Sequence, residues 1–340
     1  MAKQESLFPV LDPKPSGGLA AVAMTAPLDS TGFLTEYRPL VSRSILNKTA
    51  SRRGLPFSHA INPYRGCEFG CRYCYARYTH EFMEMTPEEF EKKIYFKQNA
   101  AWLLEQELKR LKPGSEIALG TATDPYQPLE RRQRVTHSLL EVFARQSGLR
   151  LGIVTKSPLI VRDLDLLKQI RERNRLTVHM TVTTMDVNLA RILEPRAPRP
   201  DLRLGAVRRL REGGIRAGVM CSPLMPGITD SRASMDAVAR ASAEARASFF
   251  VSGALFLKPC SLPTFFAFVE KHFPEQIDAY RRRYGKSAFV SAEYRKRVGE
   301  LVNSISRKYG LGRRRMDNPP EMGEPGRIVE LQPQLPFEPD

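Results

Sequence analysis

Six short apolar runs recur between residues 59 and 255, each followed by a longer amphipathic stretch: "HAINPY" (59–64), "EIALGT" (116–121), "RLGIVT" (150–155), "TVHMTVT" (177–183), "RAGVMCS" (216–222) and "FFVSGAL" (249–255). A strand covered on both faces reads as a continuous apolar run, and an amphipathic segment after it reads as a helix crossing back over the sheet. The alternation therefore predicts an α/β chain of six βα units on a mostly parallel sheet, a partial (βα)6 barrel of the TIM type. Helices are expected near 87–111, 132–147, 158–173, 200–213, 231–246 and 262–273. The barrel is assigned to residues 56–275, preceded by a mostly flexible arm over 1–55 that becomes ordered near "SRSILNK". Residues 276–312 read as two basic helices with aromatic and aliphatic residues at helical spacing, a C-terminal cap, and 313–340 as a Pro-rich tail.

The 340 residues, 42% hydrophobic, suffice for a large core and exclude disorder of the whole. Lys and Arg outnumber Asp and Glu 53 to 37, a net +16 that points to a polyanionic partner, DNA or RNA. Five cysteines, three of them clustered, do not form a secreted disulfide framework and fit a reducing, cytoplasmic compartment. No apolar run reaches the length of a membrane span, so no membrane partner is expected.

In βα barrels the chemistry gathers where strands end. Here Cys67, Cys71 and Cys74 follow the first strand, "GTATDPYQPLE" the second, "TKSPLIVRD" the third, while "TVTTMD" ends the fourth and "SPLMPGITD" follows the fifth. Thiolates are soft ligands that select zinc, copper(I) or iron–sulfur clusters, yet three are one short of a closed site. One reading recruits His80 as a fourth zinc ligand, and another leaves three unliganded thiols. A third is a four-iron cluster with one iron open to a small molecule. Asp124, Asp163, Glu194 and Asp230 are read as loop-fixing residues.

The C-x3-C-x2-C spacing with Tyr73 before Cys74 resembles the signature of the radical S-adenosylmethionine (SAM) superfamily. "INPYRGCEFGCRYCYAR", "GTATDPYQPLE", "VTKS" and "PLMPGITD", in that order, resemble its spore photoproduct lyase-like branch, also labelled DNA repair photolyase-like, over about residues 40–312. The resemblance implies a [4Fe-4S] cluster on Cys67, Cys71 and Cys74 and a SAM cofactor on its open iron, cleaved to methionine and a 5'-deoxyadenosyl radical. It implies contacts to the methionine amino group near Gly120, Thr121 and Thr123, and to its carboxylate or ribose near Lys156, Ser157, Thr181 and Thr183. Tyr73 and Tyr75 become catalytic candidates beside the last ligand, and flavodoxin or ferredoxin the electron donor.

One departure matters. Where spore photoproduct lyase carries a cysteine hydrogen donor, this chain has Thr121, whose O–H bond is too strong for that role. Repair of the spore thymine dimer is therefore not expected, and Cys221 is the one thiol that could reach the same cavity in its place. Arg131, Arg132 and Arg134, with Arg281–Arg283 and Arg313–Arg315, suggest a basic rim for phosphates, and Tyr126 or Tyr75 a stacking surface for a base. "QESLF", Gln4–Phe8, with an echo in "QLPF" (334–337), resembles the peptide by which bacterial repair proteins dock on the sliding clamp. The expected function is a lyase-like radical SAM enzyme acting on nucleic acid or a nucleotide derivative. The alternatives are the same chemistry on a protein or small metabolite, and a non-enzymatic zinc or iron–sulfur nucleic-acid-binding module.

Overall fold

A computed structural model describes residues 18–32, 34–49, 57–112 and 114–312. Its strands are β1 (Ser30–Thr31), β2 (Glu36–Leu40), β3 (Asn47–Lys48), β4 (His59–Ile61), β5 (Tyr64–Arg65), β6 (Lys93–Lys97), β7 (Glu116–Leu119), β8 (Arg150–Thr155), β9 (Arg175–Thr181), β10 (Ala217–Leu224) and β11 (Phe250–Ala254). The six expected strands are β4 and β7 through β11, hydrogen-bonded in the order β4-β7-β8-β9-β10-β11, all parallel. Their inward residues, among them Ile117, Leu119, Ile153, Val178 and Val219, are buried and form one continuous core with the helices that cross between strands. β3 adds an antiparallel edge beside β4.

The sheet is an open barrel, and the cysteine loop, "GTATDPYQPLE", "TKSPLIVRD", "TVTTMD" and "SPLMPGITD" lie at the C-terminal ends of its strands. Helices Ile277–Tyr284 and Ala292–Lys308 close one side. Tyr280 donates its hydroxyl to the Pro226 carbonyl at 2.8 Å, Tyr284 donates to Leu255, and Tyr294 donates to Asp230 at 2.7 Å. The cap is thus anchored on the loops after the fifth and sixth barrel strands. Asp230 also accepts from the Gly227 backbone N–H, which makes it a loop-fixing residue as expected.

Two expectations fail on the N-terminal side. Ordered structure begins well before Ser42: a helix covers Leu19–Thr25, and β2 pairs in parallel with β6 along its whole length. The single helix expected near 87–111 is three elements, a 3-10 turn at Pro87–Glu91, strand β6, and a helix at Ala100–Leu108. Together β1, β2, β6 and β5 make a second four-stranded sheet, order β1-β2-β6-β5, outside the barrel. No described helix is long and apolar enough to cross a membrane. Gln4–Phe8, residues 334–337 and Arg313–Arg315 lie outside the described residues.

Candidate active site

The cysteine loop leaves β5 directly, and its path is set by backbone anchors. Gly66 lies at φ +81°, and a Cβ there would stand 2.7 Å from the carbonyls of both Phe90 and Lys93, so only glycine lets the loop press against β6. The Cys67 N–H then donates to Phe90 O at 3.0 Å, Arg72 N–H to Leu193 O at 2.9 Å, and Ser261 Oγ to Cys74 O at 2.9 Å. Arg77, fully buried, pairs with Glu91 at 2.5 Å and reaches the Cys71 carbonyl at 3.4 Å. Burial pushes the thiols of Cys67, Cys71 and Cys74 up, Cys71 to about 12, and the neighbouring Cys74 raises both Cys67 and Cys71 further. Thiols so placed ionise only when a metal's positive charge offsets that burial.

No three His, Cys, Asp or Glu side chains among the described residues can share a single metal ion. A cubane asks something different, since each thiolate takes its own iron. His80 is not the fourth ligand: its Nε2 is 3.0 Å from the Lys93 carbonyl and its ring packs edge-on against Phe90 at 5.3 Å. It is fully buried, and burial lowers it to about 4. The donor set that remains, three thiols on one clamped loop, fits an iron–sulfur cluster held at three corners.

Around Cys71 stands a buried charged network. Glu194 is paired with Arg203 at 2.5 Å, accepts from the Tyr73 hydroxyl, and accepts from Thr183 Oγ1 at 3.3 Å. Arg203 also donates to the carbonyls of Thr181 and Pro198. The Lys156 ammonium sits 5.7 Å from the centre of the Tyr73 ring. Burial alone would lower Lys156, but Cys71 and Glu194 outweigh it and hold it above its ordinary value. Burial would raise Glu194, and Arg203 with Lys156 instead holds it below the carboxylate range.

A second buried carboxylate ties two rim loops together. Asp124 accepts from Thr155 Oγ1 and from the Lys156 N–H, both at 2.7 Å, and from the Tyr126 N–H at 2.9 Å. Ahead of it Gly120, at φ +90°, makes the turn out of β7; a Cβ would lie 2.5 Å from the Val154 carbonyl. Thr123 donates to the Tyr64 carbonyl at 3.4 Å, and Thr121 Oγ1 accepts from Asn62 at 3.3 Å. Ser157 caps the turn that follows β8, its Oγ accepting from Leu159 N–H. Cys221 is fully buried beside the Thr183 carbonyl at 3.8 Å, and burial raises it to about 12.

Beside the cysteine loop, between the first and last barrel strands, lies a cavity of about 660 Å³ lined by Tyr75, Thr121, Thr123, Asn62, Phe256 and others. Tyr75 donates its hydroxyl to the Thr121 carbonyl and packs its ring 5.6 Å from Phe256, so one side chain joins the cluster loop to the cavity wall. Cys221 is not part of that wall.

Several expected roles change. Tyr126 is buried at 1% exposure and cannot stack on a base, whereas Tyr75 at 36% faces the cavity. Arg132 lies over the Tyr37 ring and donates to Ser30, and Arg134 is bonded to His137, so neither borders the cavity. Asp163 pairs with Arg162 at 2.9 Å, as its loop-fixing role requires. Sequence reasoning missed Arg203, Arg65 and Lys97, and set Glu194 and Asp124 aside as structural. The partners that give them meaning are distant in the chain; Tyr73 and Glu194 are 121 residues apart.

Comparison with known proteins agrees with this geometry. The radical SAM superfamily model matches residues 61–237. An uncharacterized protein of Mycobacterium tuberculosis is 33% identical over 287 residues, 84% of each chain, and one of Methanocaldococcus jannaschii is 27% identical over 250 residues, 74% of this chain and 86% of the relative. A mutant of spore photoproduct lyase has the same fold, with TM-score 0.60 and 18% identity over 80% of this chain and 79% of its own. A mutant of that enzyme with bound SAM and dinucleoside spore photoproduct gives 0.59 and 15% over 79% and 78%. The chain belongs to the radical SAM superfamily.

Proposed function

We propose that this chain is a radical SAM enzyme that abstracts hydrogen from a nucleic acid or nucleotide derivative bound in the cavity beside Tyr75. Cys67, Cys71 and Cys74 would hold the cluster, and Lys156, with Thr155 and Ser157 on the same turn, would meet the cofactor's carboxylate. When bound, the reduced [4Fe-4S] cluster supplies the electron that cleaves SAM and yields the radical that attacks the substrate. Glu194, itself paired with Arg203, orients Tyr73, and its charge favours the ammonium form of Lys156. Asp124 locks the loops after β7 and β8 together, so the Gly120–Thr123 turn and Lys156 face the site as one unit.

The observation that carries the substrate class is the wall of the cavity. Among the described residues it joins the cluster loop through Tyr75, presents the rings of Tyr78, Phe82, Phe256 and Phe289, and carries Lys and Arg but no carboxylate. Ring faces stack on bases and cations attract phosphates. The resemblance to spore photoproduct lyase supports the same class, while Thr121 speaks against that enzyme's own substrate.

Anaerobically reconstituted protein, reduced in the presence of SAM, should release 5'-deoxyadenosine, and deuterated nucleotides or oligonucleotides should pass their label into it. Zinc instead of iron and no 5'-deoxyadenosine would remove the enzymatic reading. Label arriving from a peptide or metabolite pool, but never from nucleotides, would remove the substrate class.

A further inference from the structure

The cavity holds an imbalance that the cofactor chemistry does not use. Four cations line it, Lys48, Arg65, Lys97 and Lys258, and no Asp or Glu is among the described residues that do. Lys97, at the end of β6, is 5% exposed and lines this space. Among the described residues its ammonium makes no hydrogen bond or ion pair, although its backbone N–H donates to the Pro63 carbonyl at 3.1 Å. Glu107 is the carboxylate whose charge reaches it, and both Glu107 oxygens already accept from the N–H groups of Ile45 and Leu46, at 2.7–3.2 Å. Arg65, on the neighbouring strand β5, donates one N–H to the Thr79 carbonyl at 3.4 Å and keeps its buried Nε without a partner. A buried ammonium beside a guanidinium, with its one neighbouring carboxylate already bonded elsewhere, is costly. Burial, then the charge of Arg65, brings Lys97 down to about 7.

We infer that Arg65 and Lys97 form the subsite for a phosphomonoester of the substrate, with Tyr75, Tyr78 and Phe256 flanking its planar part. A phosphomonoester carries close to two negative charges at neutral pH and several acceptor oxygens, which matches two adjacent cations. A carboxylate's single charge leaves one of them unmatched. The guanidinium fork supplies directional donors and the ammonium a point charge. This rests on the nucleotide reading above and narrows it to a substrate with a terminal phosphate, either a free nucleoside monophosphate or the phosphorylated end of a strand.

The test is calorimetric titration of the reconstituted holoprotein with inorganic phosphate, followed by competition with deoxynucleoside 5'-monophosphates, the matching nucleosides, and a 5'-phosphorylated tetranucleotide. Phosphate should bind the wild type, and Lys97→Met should weaken it at least tenfold; Arg65→Lys, which keeps the charge but loses the fork, should weaken it several-fold. Lys168→Met, on an outer helix, removes the same charge and should change nothing. Thermal melts of each variant confirm folding. Monophosphates displacing phosphate where nucleosides do not identify a free nucleotide, and displacement by the tetranucleotide alone identifies a strand end. Phosphate that binds but is displaced by neither keeps the subsite and removes the nucleotide reading. Wild-type protein that ignores phosphate, or Lys97→Met and Arg65→Lys proteins that bind it like wild type, overturns the inference. Formation of 5'-deoxyadenosine is scored separately, so failure of the radical chemistry is not confused with failure of the subsite.

Discussion

Two charged clusters flank the cysteine loop and are built on opposite principles. Around Glu194 every charge has its partner: Arg203 in an ion pair, Tyr73 and Thr183 as donors, Lys156 within electrostatic reach. Around Lys97 two cations line a cavity whose wall, among the described residues, holds no acid. A matched set is complete when the chain folds and serves to hold positions. An unmatched set inside a shielded space is complete only when something negative arrives. Both are polar clusters beside the cysteine loop, and composition alone does not separate them.

The largest effect should fall between them, at Cys71. Cys71→Ala should prevent cluster assembly, seen as loss of colour and bound iron, and reduce 5'-deoxyadenosine formation to background, a loss on the order of a thousandfold or more, because the group that supplies the chemistry is gone. Next is the matched cluster. Glu194→Ala strands the buried Arg203 and should destabilise the protein by about 3–5 kcal/mol in denaturant titration. A loss no larger than that of a surface substitution would mean the pairing is not what holds the site.

The unmatched cluster should answer with the opposite sign. Lys97→Met removes a buried charge that lacks a partner and should leave the ligand-free protein as stable or more stable, by about 1–4 kcal/mol. The two clusters should also respond at opposite ends of the pH scale. Lys97 has a folded value of about 7 against an ordinary 10.5, so the unfolded chain binds more protons between them and stability rises with pH across that window. The advantage of Lys97→Met over wild type should therefore be greatest near pH 6 and fade toward pH 10. Glu194 is held below its ordinary 4.5, so its contribution is present above that value and is lost as pH falls through it. Melting curves of both variants at three pH values read the contrast directly. The smallest effect expected is at the cap: Tyr294→Phe gives up one hydrogen bond to Asp230 and should cost about 1–2 kcal/mol.

The barrel was legible and the outer sheet was not, for a physical reason. β8 and β9 are runs of six and seven residues in a fully covered parallel sheet, and such runs declare themselves. β1 and β5 are two residues each and exist only because β2 and β6 supply partners. Upstream of β6, Thr86 and Glu89 make a genuine capping box, with Pro87 behind the cap, which is a helix-start signal. It caps a single 3-10 turn before "KIYFK" turns extended to pair with β2. The helix expected there was a correct local signal overruled by a long-range pairing. The site divides the same way. The three cysteines and Lys156 sit in short motifs whose spacing carries meaning, whereas Glu194, Arg203 and Lys97 become informative only once the fold brings their neighbours to them.

The short strand β5 ends with Arg65, and Cys67 follows two residues later across a glycine that nothing else can replace. If Arg65 holds the substrate's phosphate, that anchor and Cys67, the proposed cluster ligand, sit two residues apart on one stretch of backbone that turns at Gly66. Which carbon of the substrate loses its hydrogen then becomes a matter of ruler length rather than of recognition at the reacting atom.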